Sequence, residues 1–104
     1  MRIEIIGEGT VSQQARMYAE YRVFAALTQF MEADKVQRVR VLLRAVKPRS
    51  HCESIACSVT VALEGSDSFR IRTTGPHAYA AINRAVERIR TNAAAPGVVD
   101  RVSV

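Results

Sequence analysis

The sequence predicts an α+β domain in the order β-α-β-β-β-α: a four-stranded mixed sheet with two helices packed on one face. Three observations predict it. Between Gln13 and about Phe30 there is no Gly or Pro, and apolar residues recur there at helical spacing. Three later stretches alternate apolar and polar residues with a period of two. A second helical stripe then follows Gly75-Pro76. With 104 residues, 48% of them hydrophobic and 24% charged, the chain has the size and composition of one domain around one core.

The elements follow in order. Residues 2–6, Arg-Ile-Glu-Ile-Ile, form the first strand, which Gly7, Gly9 and Thr10 are expected to end. Ser12 is placed to cap the first helix, whose inward stripe is Ala15, Tyr18, Ala19, Val23, Ala26 and Phe30. Residues 36–46 return to period two, with Val39, Val41 and Leu43 on one face and Arg38, Arg40 and Arg44 sharing the other with Leu42. Lys47-Pro48-Arg49-Ser50-His51 makes a loop, because Pro48 has no N–H for a ladder. In the strand 54–63, Ile55, Cys57, Val59, Val61 and Leu63 point inward and Ser58 and Thr60 outward. Glu64-Gly65-Ser66-Asp67 is a hairpin turn, and residues 68–73 form the last strand, Phe69 and Ile71 inward, Arg70 and Arg72 outward. The second helix opens at Pro76, a residue favoured in the first helical position. Its buried stripe is Ala78, Ile82, Ala85 and Ile89, widened by Tyr79 and Val86. The pattern fades at Thr91-Asn92, so the domain is expected to span 1–92, with 93–104 a loose C-terminal tail.

A strand, a crossover helix and a second strand pair in parallel, and the rest is an antiparallel meander. Both helices must then cover the face carrying Val39, Val41, Leu43, Val59, Val61 and Ile71, which leaves the opposite face to solvent.

Charge is unevenly distributed. Fifteen Lys and Arg stand against ten Asp and Glu, and thirteen of the cations are Arg. Residues 1–34 carry a net −2 and residues 35–104 a net +7, which points to a polyanionic partner. Arginine favours bidentate phosphate contacts and stacking on bases. The open sheet face collects Arg38, Arg40 and Arg44 from one strand and Arg70 and Arg72 from another, extended by Lys47 and Arg49 in the loop. Residues 35–49 hold six cations and no acid, so either a partner compensates this field or cross-strand acids such as Glu4 and Glu64 do. Arg84 and Arg88 share an exposed line of the second helix and are candidate RNA contacts too, or part of a solvated face carrying Arg–Glu pairs such as Arg90 beside Glu87. The open face has no aromatic residue, which favours structured RNA read by shape and phosphates over a stacking platform.

Other classes find little support. No apolar run is long enough for a signal peptide or a membrane span, and two cysteines five apart make no disulfide framework, so a cytosolic location is expected. His51, Cys52, Cys57 and His77 show no metal-ligand spacing; Cys57 is expected in the core and His77 on the surface. No phosphate-cradling Gly motif, nucleophile elbow or placed carboxylate pair is present. The chain is expected to be no enzyme and to need no cofactor or small-molecule substrate.

Several segments resemble the ribosome hibernation promoting factor family (ribosome-associated inhibitor, or sigma-54 modulation). Arg-Ile-Glu-Ile-Ile-Gly resembles its first strand, and Val11-Ser12 with Arg16 and Tyr18 the start of its first helix. Ala78-Tyr79-Ala80-Ala81-Ile82-Asn83 resembles the opening of its second helix, with Asn83 where Asp is usual. The resemblance spans Arg2 to Asn92 and is to the short form of the family, without the additional C-terminal ribosome-pairing domain. It implies a βαβββα fold, binding to small-subunit ribosomal RNA in the cleft of mRNA and tRNA, and a block on translation in hibernation or stress. Of the family's basic helix positions, Arg16, Arg22 and Arg88 are kept. The chain departs from the family where a Lys/Arg run would end the second helix, having Thr91-Asn92-Ala93-Ala94-Ala95-Pro96. It also has Met17, Tyr21, Phe24 and Ala25 at usually charged positions of the first helix.

Met17, Tyr21 and Phe24, with Leu27 nearby, form a second apolar stripe away from the sheet. In a two-layer domain only a partner protein or a second copy could cover it, so the alternative expectation is a protein-interaction or homodimerisation module on the same fold.

Overall fold

A computed structural model describes residues 1–9, 11–31, 33–46, 54–65 and 68–94. The expected element order is found. Strand β1 spans Arg2–Glu8, helix α1 Gln13–Phe30, strand β2 Val36–Val46, β3 Ser54–Leu63, β4 Ser68–Gly75 and helix α2 Ala78–Ala94; a 3-10 turn at Ala33–Lys35 leads into β2. The sheet order is β1-β2-β3-β4, with β1 parallel to β2 and the other pairs antiparallel. The two helices pack on each other, α1 over β1 and α2 over β3 and β4.

The core sits between helices and sheet. Val39, Val41, Leu43, Cys57, Val59, Val61 and Ile71 from the sheet meet Val23, Leu27, Ile82 and Ile89, all essentially sealed from solvent. Burying each such branched side chain contributes about 1.5–3 kcal/mol, so this face holds the layers together. Val36 joins the core although it lies an odd number of residues from Val39, because the β2–β3 register shifts between Val36 and Arg38.

Boundaries differ from expectation at three places. Gly7 lies inside β1, where it pairs with Leu43, because a bare Cα makes room for a neighbour: a Cβ there would come within 2.6 Å of Arg16 Nε. Strand β4 continues to Gly75, which pairs with Ile55, and a Cβ at Gly75 would meet the backbone nitrogen of Ala81 at 2.7 Å. Helix α2 therefore starts at Ala78 rather than Pro76. His77 caps it, its Nδ1 accepting from the Ala80 amide at 3.2 Å, and the helix carries on to Ala94 instead of ending at Thr91-Asn92. Ser12 caps α1 as expected, its Oγ accepting from the Ala15 amide at 3.1 Å. Thr10, Glu32, the loop 47–53, the turn residues Ser66 and Asp67, and the remaining tail 95–104 lie outside the described residues.

Candidate nucleic-acid interface

The strand registers arrange the open face as rows running across the sheet. One row reads Glu4, Arg40, Thr60, Arg70; the next reads Ile6, Leu42, Ser58, Arg72. Flanking them are Arg2, Arg38, Ala62, Ser68 on one side and Glu8, Arg44, Ala56, Thr74 on the other. Successive rows are about 7 Å apart and neighbouring strands about 4.8 Å. The outward positions of β3 are all small, while β2 and β4 carry long arginines. The face is therefore a trough of about 800 Å³, floored by Ala56, Ser58, Thr60 and Ala62 and walled by Arg38, Arg40, Arg44, Arg70 and Arg72. Those five residues are brought together as the sequence implied; Lys47 and Arg49 lie outside the described residues.

Its charges are partly compensated. The parallel register sets Glu4 against Arg40 at 3.6 Å and Glu8 against Arg44 at 3.7 Å, each pair half exposed and contributing about 0–1 kcal/mol. Glu4 was a foreseen partner; Glu64 instead gives its backbone amide to the Lys35 carbonyl at 2.8 Å. Among the described residues no carboxylate pairs with Arg38, Arg70 or Arg72. Arg2 stands directly opposite Arg38 in the ladder, a like-charge pairing that costs stability. Arg70 Nε is shielded from solvent and has no hydrogen-bond partner among the described residues. The net field of the trough is thus positive along β4 and at the Arg2–Arg38 end.

The helix cations do something else. Arg84 Nη1 donates to the carbonyl of Thr74, and Arg88 Nη1 to that of Arg72 at 3.3 Å, both on the outer edge of β4. Arg16 Nη2 donates to the Gly7 carbonyl at 3.2 Å on β1, the opposite edge strand. Helix arginines thereby take up two carbonyls of β4 and one of β1, the two edge strands, which blunts edge-to-edge pairing there. Arg22 lies half-buried on α1, its Nε without a hydrogen-bond partner among the described residues. None of these four lines the trough. This edge role was not foreseen, because no sequence pattern marks which carbonyls a distant arginine will reach. Arg90 hydrogen-bonds Glu87 and holds that carboxyl below its usual range.

On the outer face of α1, Met17, Tyr21 and Phe24 are exposed by 62%, 70% and 50%. Leu27 does not join them. It is fully buried, because it lies four residues after Val23 and so shares the stripe facing the sheet.

Burial pushes the Cys57 thiol up to about 12, so it stays protonated and inert. Among the described residues no three His, Cys, Asp or Glu side chains cluster to hold a metal, and no helix is long and apolar enough to cross a membrane.

No family model and no curated protein matches the sequence. Solved structures do. A ribosomal subunit interface protein from Coxiella burnetii superposes with a TM-score of 0.68 at 16% identity, over 90% of this chain and 94% of that one. The N-terminal domain of Protein Y from Thermus thermophilus gives 0.66 at 23% identity, over 89% and 96%. The likeness is one of fold. It is the fold that the resemblance to the hibernation promoting factors implied.

Proposed function

We propose that this chain is a cytoplasmic, non-enzymatic ribosome-associated factor. It docks on ribosomal RNA of the small subunit and blocks translation by occupying the site, as in hibernation or stress. The observation that carries the reading is the arginine-walled trough on the open face of a sheet whose fold is shared with a ribosomal subunit interface protein. A concave, positive, aromatic-free surface holds phosphates without reading bases. Arg38, Arg40, Arg44, Arg70 and Arg72 make the main contact, and Lys47 and Arg49, which follow β2 in sequence, are assigned to the same RNA. Arg16, Arg22, Arg84 and Arg88 lie on the helices outside the trough and add positive charge that attracts flanking phosphates.

Co-sedimentation with ribosomes tests this at low and moderate salt. Wild type should pellet with the small subunit, and both added salt and an Arg38→Glu, Arg40→Glu, Arg44→Glu variant should release it. Wild type that stays in the supernatant under every condition would defeat the reading.

A second reading rests on the exposure of Met17, Tyr21 and Phe24: a homodimer or protein-interaction module using α1, which no longer needs the ribosome. Light scattering discriminates, since a Tyr21→Glu, Phe24→Glu variant should then lose an assembly that salt leaves intact.

A further inference from the structure

The geometry of the trough also says what form of RNA it takes, an inference that rests on the functional reading above. Its walls, β2 and β4, are two strand spacings apart, roughly 10 Å. That width admits one sugar-phosphate backbone and is too narrow for a double helix. The central row places Thr60 between Arg40 and Arg70, so a hydroxyl on the floor lies between a guanidinium on each wall. Among the described residues Arg70 has no carboxylate partner, and Arg40 pairs only with Glu4, at 3.6 Å and half exposed. A tetrahedral phosphate can accept from both walls and the floor at once, whereas a planar carboxylate accepts in its own plane.

We propose that the row Arg40–Thr60–Arg70 seats one phosphate of a single, unpaired RNA strand running along β3. The row Ser58–Arg72 takes the next phosphate on one side and Arg38 the next on the other. The row pitch of about 7 Å matches one phosphate step of an extended strand. With Ala, Ser and Thr as the floor there is nothing for bases to stack on, so the bases point out of the trough and sequence is not read. This replaces the expectation of structured RNA drawn from the aromatic-free face: the contacted element is a single-stranded segment, held by the width and row pitch of the trough without stacking.

Fluorescence anisotropy with a short labelled oligouridine, over a salt series, tests the seat. Wild type should bind the oligomer more tightly than a labelled RNA duplex. Arg70→Ala should weaken binding about tenfold and lower the slope of log affinity against log salt by about 0.7, the share of one phosphate on a single strand. Arg72→Ala, a fully surface change, should lower the slope equally, and Thr60→Val should weaken binding with the slope unchanged. Arg90→Ala, outside the trough, should change nothing, and circular dichroism should show every variant folded. Preference for the duplex, equal binding of an oligoglutamate peptide, displacement by inorganic phosphate as effective as by the oligomer, or Arg70→Ala and Arg72→Ala variants with unaltered slopes would each overturn the proposal. Ribosome co-sedimentation run alongside separates the two levels. Ribosome binding without oligouridine binding sinks the single-strand seat alone, and oligouridine binding without ribosome binding sinks the ribosomal role alone.

Discussion

Tyr18 donates its phenolic hydrogen to Asn83 Oδ1 at 2.6 Å, and its ring meets Tyr79 edge-on with centroids 5.0 Å apart. This contact joins the second turn of α1 to the first turns of α2, between residues 65 apart in sequence. Tyr18→Phe keeps the ring contact and removes the hydrogen bond, and should lower unfolding stability by about 0.5–1.5 kcal/mol. A double-mutant cycle with Asn83→Ala should return a coupling of about 0.5 kcal/mol or more in urea melts; additive effects would mean the bond is not formed in solution.

Gly75 ends β4 against the first turn of α2. Gly75→Ala should destabilise by more than about 1 kcal/mol, since the added Cβ meets backbone that cannot step aside. Gly65 is the contrast. Its φ of 89° strains any L residue, but there is open space around it, so Gly65→Asn should be tolerated. A thermal melt that ranked Gly75→Ala as the milder change would contradict this packing.

Two neighbours on α1 should behave oppositely. Leu27→Ala opens a cavity in the core and should cost about 2–5 kcal/mol. Phe24→Ala, on the exposed side, should stay within about 0.5 kcal/mol if the chain is a monomer. A large loss at Phe24 that depends on protein concentration would instead show the α1 face to be covered by a second copy.

The Cys57 thiol gives a pH signature. Burial raises it from 9.0 to about 12, so the folded state holds its proton where the unfolded chain has released it. The contribution to stability is therefore whole below pH 9 and falls as pH rises towards 12, with a slope of at most about 1.4 kcal/mol per pH unit. Denaturant midpoints at rising pH should show this fall in wild type and lose it in Cys57→Ala. In a Cys52→Ser background, an aromatic disulfide reagent should label the native protein only as fast as it opens. Immediate labelling would place Cys57 at the surface.

The caps contribute separately. Ser12→Ala should cost about 1 kcal/mol by stranding the Ala15 amide, and His77→Asp should hold α2 at least as well as histidine does.

Much of this protein follows from local pattern. The period-two runs in β2, β3 and β4 set which face is buried, and Arg38, Arg40, Arg44, Arg70 and Arg72 were placed on the open face by alternation alone. Gln13–Phe30 was bounded by the Ser12 cap and by the absence of breakers. These properties depend on neighbours in sequence, which is why they could be read there. Leu27 was misplaced because α1 is apolar on most of its circumference, so periodicity could not decide which side the sheet takes. The edge-covering roles of Arg16, Arg84 and Arg88 were invisible, because an arginine's partner carbonyl is chosen by packing. Gly7 inside β1 was hidden for the same reason, since it answers to Arg16 brought close by the fold, whereas the His77 cap is local and was missed because histidine is not among the residues favoured as caps. The sequence alone determined the order of elements, the charge and the two faces of the sheet. Only the tertiary structure decided that β3's small residues lie between two walls of arginine, because register across strands is what turns a list of cations into a trough.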